Sequence, residues 1–307
     1  MTGRFEMVTV DPAAPPEWVG TWAAELARTR QRNRGRAPGD PAVVRDRLLT
    51  ALATRPAAVA RTGQGTAYCA VGRADHPLTG RPEVTLSRFV GTASDAVDVL
   101  LDGLAGEDAL ARCTVEVEAR RDCRHGGLAD HGFTESVLTA RHGTGNADRA
   151  PAAPGHPELR LRRARADDAD FVADCLTTAL RRGLSGEAPA VDLDAFARER
   201  YALTGDGVLC LVGEVDGRRA CHGFGHARTD RYGIDRVLYL VDVFVLPEHH
   251  GNGLSTATTA ALLAAADEAG YGVVESDVVL GPVSDRLRTG LRAAGWTEDR
   301  VRWSRGW

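Results

Sequence analysis

The sequence predicts an α/β (α+β) chain built as two similar halves, and three observations carry that reading. Stretches with strand period alternate with stretches of helical period along both halves. Asp216-Gly217 stands between two predicted strands as a hairpin signal. The segment 143–157, GTGNADRAPAAPGHP, has no apolar period and reads as a linker. The organisation expected is a domain over 1–142, a linker over 143–157 and a domain over 158–307.

In the second half, Leu159-Arg160-Leu161-Arg162 alternates as a strand does. Ala166-Asp167-Asp168 then offers acids suited to a helix N-terminus. Phe171, Val172, Cys175, Leu176 and Leu180 follow at helical spacing, and a second helix is predicted at about 193–201. Strands at 208–213 and 219–227 flank the hairpin turn, and the almost wholly apolar run 237–245 reads as a central strand. An Ala-rich helix over 254–269 stops at Gly270, and a strand follows at 272–280. A last helix over 284–294 closes on Gly295, before a short strand at 301–303.

The first half is a fainter copy. A hairpin is predicted around Gly63-Gln64-Gly65, a strand at 84–90, a helix at about 94–104 and a strand at 114–119. His131-Gly132-Phe133-Thr134-Glu135 matches Ala294-Gly295-Trp296-Thr297-Glu298, which together with the shared order points to an internal duplication.

Composition excludes several classes. All 38 basic residues are Arg, so a Schiff-base or lysine-base mechanism is ruled out. Residues 1–142 carry 18 Arg against 18 acids and residues 143–307 carry 20 against 24, so neither half is basic enough to predict a nucleic-acid partner. No stretch approaches the ~20 apolar residues of a membrane span. The start, MTGRFEMVTVDP, does not read as a signal peptide, and the expected location is cytoplasmic. The six cysteines form no C-x-x-C pair and are expected to be reduced and buried; the nine histidines form no ligand cluster, so no metal is expected.

The chemistry is concentrated in Asp242-Val243-Phe244-Val245-Leu246-Pro247-Glu248-His249-His250-Gly251-Asn252-Gly253-Leu254-Ser255-Thr256. A central strand feeds a turn with two glycines, and the turn opens a helix. Such a turn presents unpaired N–H groups at the positive end of a helix dipole, ready for a phosphate or pyrophosphate. It is neither a Walker A loop nor a Rossmann fingerprint, since position 256 is Thr. The block V-x-V-x-P-E-x-x-G-x-G-L resembles motif A of the GNAT acyltransferases, with His250 where Arg or Gln is usual and Ser255 where Gly or Ala is usual. The resemblance covers the whole second half. It implies two GNAT-like domains, each a mixed, central, splayed sheet flanked by helices, the first of them degenerate.

It further implies that acetyl-CoA is the co-substrate, with Val243, Phe244 and Val245 along its pantetheine arm. His250, Gly251, Asn252, Gly253, Leu254, Ser255 and Thr256 would hold its pyrophosphate, and Ser284 stands where the family often has a CoA-contacting Asn. The amide of Val243 or Phe244 would stabilise the oxyanion. Asp242, an acid in an apolar strand, is the candidate general base. Leu291 occupies the position of the family's frequent Tyr acid. Glu275 and Asp277 share a strand face and are candidate contacts for a cationic acceptor. His222 and His226 also share a face and read as packing residues.

Where the loop should follow the strand 84–90, the first half has Gly91-Thr92-Ala93-Ser94-Asp95, with no room for a phosphate cradle. The run Arg28, Arg30, Arg32, Arg34, Arg36, followed by Pro38 and Gly39, reads as a loop. The expected activity is N-acyl transfer from acetyl-CoA to an amine on a small molecule, in secondary metabolism or resistance, by a monomer or homodimer. The alternatives are a longer acyl-CoA or aminoacyl-tRNA donor, and a CoA-binding scaffold without turnover.

Overall fold

The computed structural model describes residues 3–34, 40–105, 112–118, 126–144, 158–184, 187–200, 202–203, 205–230, 236–280 and 284–305, with backbone alone at 30–34, 118, 126 and 284. The first half runs β1 (Arg4–Val8), α1 (Glu17–Arg34), α2 (Pro41–Leu52), β2 (Ala57–Arg61), β3 (Thr66–Asp75), β4 (Pro82–Gly91), α3 (Ser94–Ala105), β5 (Cys113–Glu118), α4 (Gly126–Asp130) and β6 (Thr134–Gly143). The second half repeats the pattern with β7 (Leu159–Arg163), α5 (Ala169–Gly183), α6 (Leu193–Arg200), β8 (Val208–Val215), β9 (Arg218–Thr229), β10 (Arg236–Val245), α7 (Leu254–Glu268), β11 (Val273–Val279), α8 (Ser284–Ala293) and β12 (Thr297–Arg305).

The repeated Gly-aromatic words have a physical meaning. Gly132, Gly270 and Gly295 each adopt positive φ. At each, the next residue's amide reaches back five residues: Phe133 to Leu128, Tyr271 to Ala266 and Trp296 to Leu291. This Schellman closure needs a residue tolerant of the left-handed region and then an apolar residue to pack. The duplication seen in sequence is the same helix stop used twice before each half's last strand.

The two halves share one sheet. Twelve strands run in the order β1-β2-β3-β4-β5-β12-β6-β11-β10-β9-β8-β7. The last strand of each half is inserted into the other: β12 lies between β5 and β6, and β6 lies between β12 and β11. Val301 of β12 stands opposite both Val117 and Leu138 of the first half. The halves recognised in sequence are therefore joined by strand exchange, with Gly143 still in β6 and residues 145–157 of the expected linker outside the described residues.

Leu291 of α8 packs against the first-half core under α3 and the second-half core under α7, which places α3 and α7 on one face. Helices α1 and α2 pack the opposite face through Val19, Trp22, Leu26 and Leu48; α5 and α6 do so through Val172, Leu176 and Ala197. The Arg run corrects the expectation of a loop: α1 continues to Arg34. Arg is a good helix former, and a helix polar on its outer side needs no apolar stripe at every turn. The side chains of Arg30, Arg32 and Arg34, and all of Arg36, lie outside the described residues.

Candidate active site

The central strand β10 is held on one side by antiparallel β9 and on the other by parallel β11. The parallel pairing stops after Leu240↔Ser276, so residues 241–245 have no strand partner on that side. The result is a wedge between β10 and β11, open where Val243, Phe244 and Val245 run. A bulge between Leu240 and Asp242 lies at the mouth of the wedge.

At the end of β10 the chain makes a short 3-10 turn, Pro247–His249, and then reaches α7. Gly251 and Gly253 have φ of 82° and 75°, the left-handed region that glycine enters without a Cβ penalty. The His250 N–H is already used, donating to Pro247 O, and the His250 ring shares a 2.9 Å hydrogen bond with Val245 O. His250 thus ties the loop to the strand end, and its amide already has an acceptor in the folded chain. The amides of Gly251 to Thr256 have no acceptor among the described residues, as the first turn of a helix dictates.

These groups border a cavity of about 390 Å³ lined by Val243, Phe244, Val245, His250, Gly251 and Gly253, and by Leu254, Ser255 and Thr256 at the head of α7. Leu254 is buried, so it contributes backbone there while its side chain packs in the core. Asn252 is exposed and outside the cavity lining. A second cavity of about 590 Å³ lies between α7 and α8. It shares Ser255 and Thr256 with the first and is walled by Leu291 and Trp296, so the two form one trough. Ser284 is the first residue of α8; its side chain lies outside the described residues.

Arg182, at the end of α5, was missed by sequence reasoning. It lines the loop cavity, and its guanidinium lies 5.4 Å from the Phe244 ring centroid. Only the folded chain brings a helix C-terminus beside the glycine loop, so no local pattern announces it.

Asp242 sits on the α5 face of β10 with its side chain 20% exposed. Burial pushes its carboxyl up to about 6, partly offset by a hydrogen bond from the Val243 N–H. A carboxyl so placed is ionised near neutral pH yet basic enough to take a proton. Beside it Cys175 is pushed up to about 12, first by burial and then by the Asp242 charge, and stays a neutral thiol. His222 approaches from β9, with Nε2 3.6 Å from Asp242 Oδ2. His226 instead meets the Tyr239 ring edge-on.

Other acids are committed to the fold. Glu275 is fully buried among Arg141, Arg228 and Arg300, with Arg228 Nη2 at 2.9 Å. Asp277 accepts from Thr139 at 2.6 Å and pairs with Arg302. These ion pairs tie β11 to β6, β9 and β12, which explains both acids without an acceptor. Glu214 pairs with Arg162. Asp216, at φ 51°, forms the predicted hairpin turn with Gly217. Among the described residues no group of His, Cys, Asp and Glu is placed to hold a metal. Cys69, Cys113, Cys175, Cys210 and Cys221 are free and buried, while Cys123 lies outside the described residues. No helix among the described residues is long and apolar enough to cross a membrane.

The first half lacks this site in detail. Only Thr92 and Ala93 separate β4 from α3, against residues 246–253 between β10 and α7. Counting from the equivalent parallel pairs, Arg88 takes the place of Asp242, and Tyr68 that of His222. Tyr68 is stacked with Trp18 and Trp22, and the Trp22 indole donates to Arg88 O at 2.9 Å. Aromatic packing fills the region that holds ionisable groups in the second half.

Residues 177–281 match the model of the acetyltransferase (GNAT) family. No curated protein matches the chain. Among solved structures, a GCN5-related N-acetyltransferase from Sphaerobacter thermophilus is 16% identical, with TM-score 0.58 over 98% of this chain and 95% of that one. A tandem GNAT protein from the clavulanic acid biosynthesis pathway is also 16% identical, with TM-score 0.51 over 98% of both chains. A GCN5-related glucosamine N-acetyltransferase region of a fungal multi-domain GH3 β-N-acetylglucosaminidase is 13% identical, with TM-score 0.55 over 99% of this chain and 38% of that one. The glycine loop, the wedge and Asp242 thus lie in the stretch 177–281 that matches the acetyltransferase (GNAT) family model, within a chain whose fold is similar over nearly its whole length to a tandem GNAT protein.

Proposed function

We propose that the chain is an N-acyltransferase that moves an acetyl group from acetyl-CoA to an amine of a small molecule, using one working site, in the second half. The observation that carries this reading is the run of unpartnered amides at 251–256, set directly beyond a wedge whose free strand edge leads back to a half-buried carboxylate. The pyrophosphate would rest on those amides at the start of α7, and the pantetheine arm would extend the open edge of Val243–Val245. Arg182 adds a positive charge at the same cavity.

Attack on the thioester needs a neutral amine. Asp242 would take the amine proton directly or through one water, and a carboxyl pushed up to about 6 is matched to that task near pH 7. Leu291, on the trough wall, has no proton to give, so the CoA thiolate would leave unprotonated or be protonated by water.

Two measurements test the reading. Calorimetry should detect acetyl-CoA binding; no binding would remove the proposal. Against amines that the wild type acetylates, Asp242→Asn should lower kcat/KM by about 10² or more, the usual contribution of a general base. The loss should shrink at high pH, where the amine deprotonates unaided. An equal loss at every pH would assign Asp242 to binding or structure instead.

A further inference from the structure

His222 is fully buried on β9, opposite Phe244 of β10. Its ring stacks on Phe244 at an interplanar angle of 12° and is met edge-on by Phe171 of α5. That packing fixes its orientation. Among the described residues neither ring nitrogen has a hydrogen-bond partner, and neither does Asp242 Oδ2, yet Nε2 and Oδ2 stand only 3.6 Å apart. Buried polar atoms left unpaired are costly, and a small shift would pair Nε2 with Oδ2.

Few other groups act on the pair. Cys175 of α5 is a neutral thiol, the Val243 backbone on β10 favours the charged carboxylate, and Arg182 lies beyond the Phe244 ring. Burial lowers His222 to about 4, so at neutral pH its ring is uncharged and carries a single proton.

The sheet itself does not require the pair. The first half builds the same strands with Tyr68 and Arg88 at the two positions, and that half also lacks the glycine loop. The His–Asp pair accompanies the loop, not the fold.

We propose that His222 is a positioning residue for Asp242, its neutral ring carrying the proton on Nε2 and donating a hydrogen bond from it to the carboxylate. The role rests on the reading of Asp242 as the base. In the reaction the amine N–H bond breaks and an O–H bond forms on Asp242, while His222 keeps its own proton throughout. The donated hydrogen bond favours the ionised carboxylate, so it offsets part of the effect of burial and orients the free oxygen.

The test joins spectroscopy to kinetics on the full chain. In ¹⁵N-histidine NMR, with His222 assigned by its loss in His222→Gln, the wild type should show a neutral ring protonated at Nε2. Asp242→Asn should change that tautomer balance at neutral pH, because the anionic acceptor facing Nε2 is lost. His222→Phe should move the acidic limb of the kcat/KM profile upward by about one pH unit and leave KM for acetyl-CoA unchanged. His222→Gln, whose amide can still donate, should restore the limb toward the wild-type position. His222 signals identical in wild type and Asp242→Asn would overturn the pairing, even if that variant is inactive and the base reading stands. Full activity of Asp242→Asn would remove the base reading and the role of His222 with it, whatever the spectra show.

Discussion

Asp168 and Asp242 are both carboxylates of the second half, yet their neighbours push them in opposite directions. Asp168 is fully buried and accepts from Arg162, Arg219 and the Arg165 N–H, so its carboxyl is held well below the usual range, chiefly by the Arg162 hydrogen bond. A depressed folded value gives stability that is full above about pH 4, where the unfolded chain also ionises, and lost as pH falls through the folded value. Asp242 has the reverse sign: its raised value makes ionisation unfavourable in the fold, so its contribution worsens as pH rises from about 4 to about 6. Asp168→Asn should therefore cost about 3 kcal/mol at pH 7, as breaking one side of a buried ion pair does, with the difference narrowing below about pH 4. Urea unfolding across pH measures it, and a variant as stable as wild type would show that the arginines reach water once the charge is gone. The sequence marked both acids and placed Asp168 at a helix N-terminus, where it stands as the N-cap residue of α5, but did not show its ion pairs. Its arginine partners Arg162 and Arg219 lie on two strands, which local pattern cannot bring together.

At the scale of the element, the glycine loop was legible because its function demands a local backbone shape. Gly253 is the N-cap of α7 at φ 75°, and its neighbours present free amides at the positive end of the helix. Gly253→Val would force a β-branched residue into a left-handed conformation and set two methyls beside those amides. Acetyl-CoA affinity should fall by at least about 10²-fold while the fold survives, since turn strain of this kind costs only about 1–3 kcal/mol. Calorimetry alongside circular dichroism reads both quantities, and unchanged affinity in a folded variant would move the phosphate elsewhere. Strand ends were less legible than the loop. The last strand was expected at 301–303 and runs Thr297–Arg305, because its first residues are polar and held by ion pairs, Glu298 with Arg288 and Arg292 of α8 and Arg300 with Glu116 of β5, instead of alternating with apolar ones. Strand β6 was hidden for the same reason, with Arg141 and His142 both buried at its end.

At the scale of the molecule, the duplication was visible but the strand exchange was not. Local pattern says that a segment is a strand; it does not say which of two similar sheets the strand completes. The exchange makes each half depend on the other's last strand, so the chain should behave as one cooperative unit with a single donor site. Calorimetry should give one acetyl-CoA per chain, since Arg88 and the two-residue connection leave the first half without a base or a loop. The dependence itself is tested by removing residues 297–307. Nothing in the first half is altered by that truncation, yet β5 and β6 lose the strand between them and the first-half core loses Val301. Packing of this kind is specific, and a sheet opened at its centre exposes two unpaired edges that invite aggregation. The stacked Trp18, Trp22 and Tyr68, far from the cut and confined to the first half, are the natural reporter. Their near-ultraviolet circular dichroism should collapse in the truncated chain, and a synthetic peptide of 297–307 should restore part of it. A first half that keeps its native aromatic signal without β12 would show that it folds alone, and the exchange would then be a docking of two finished domains.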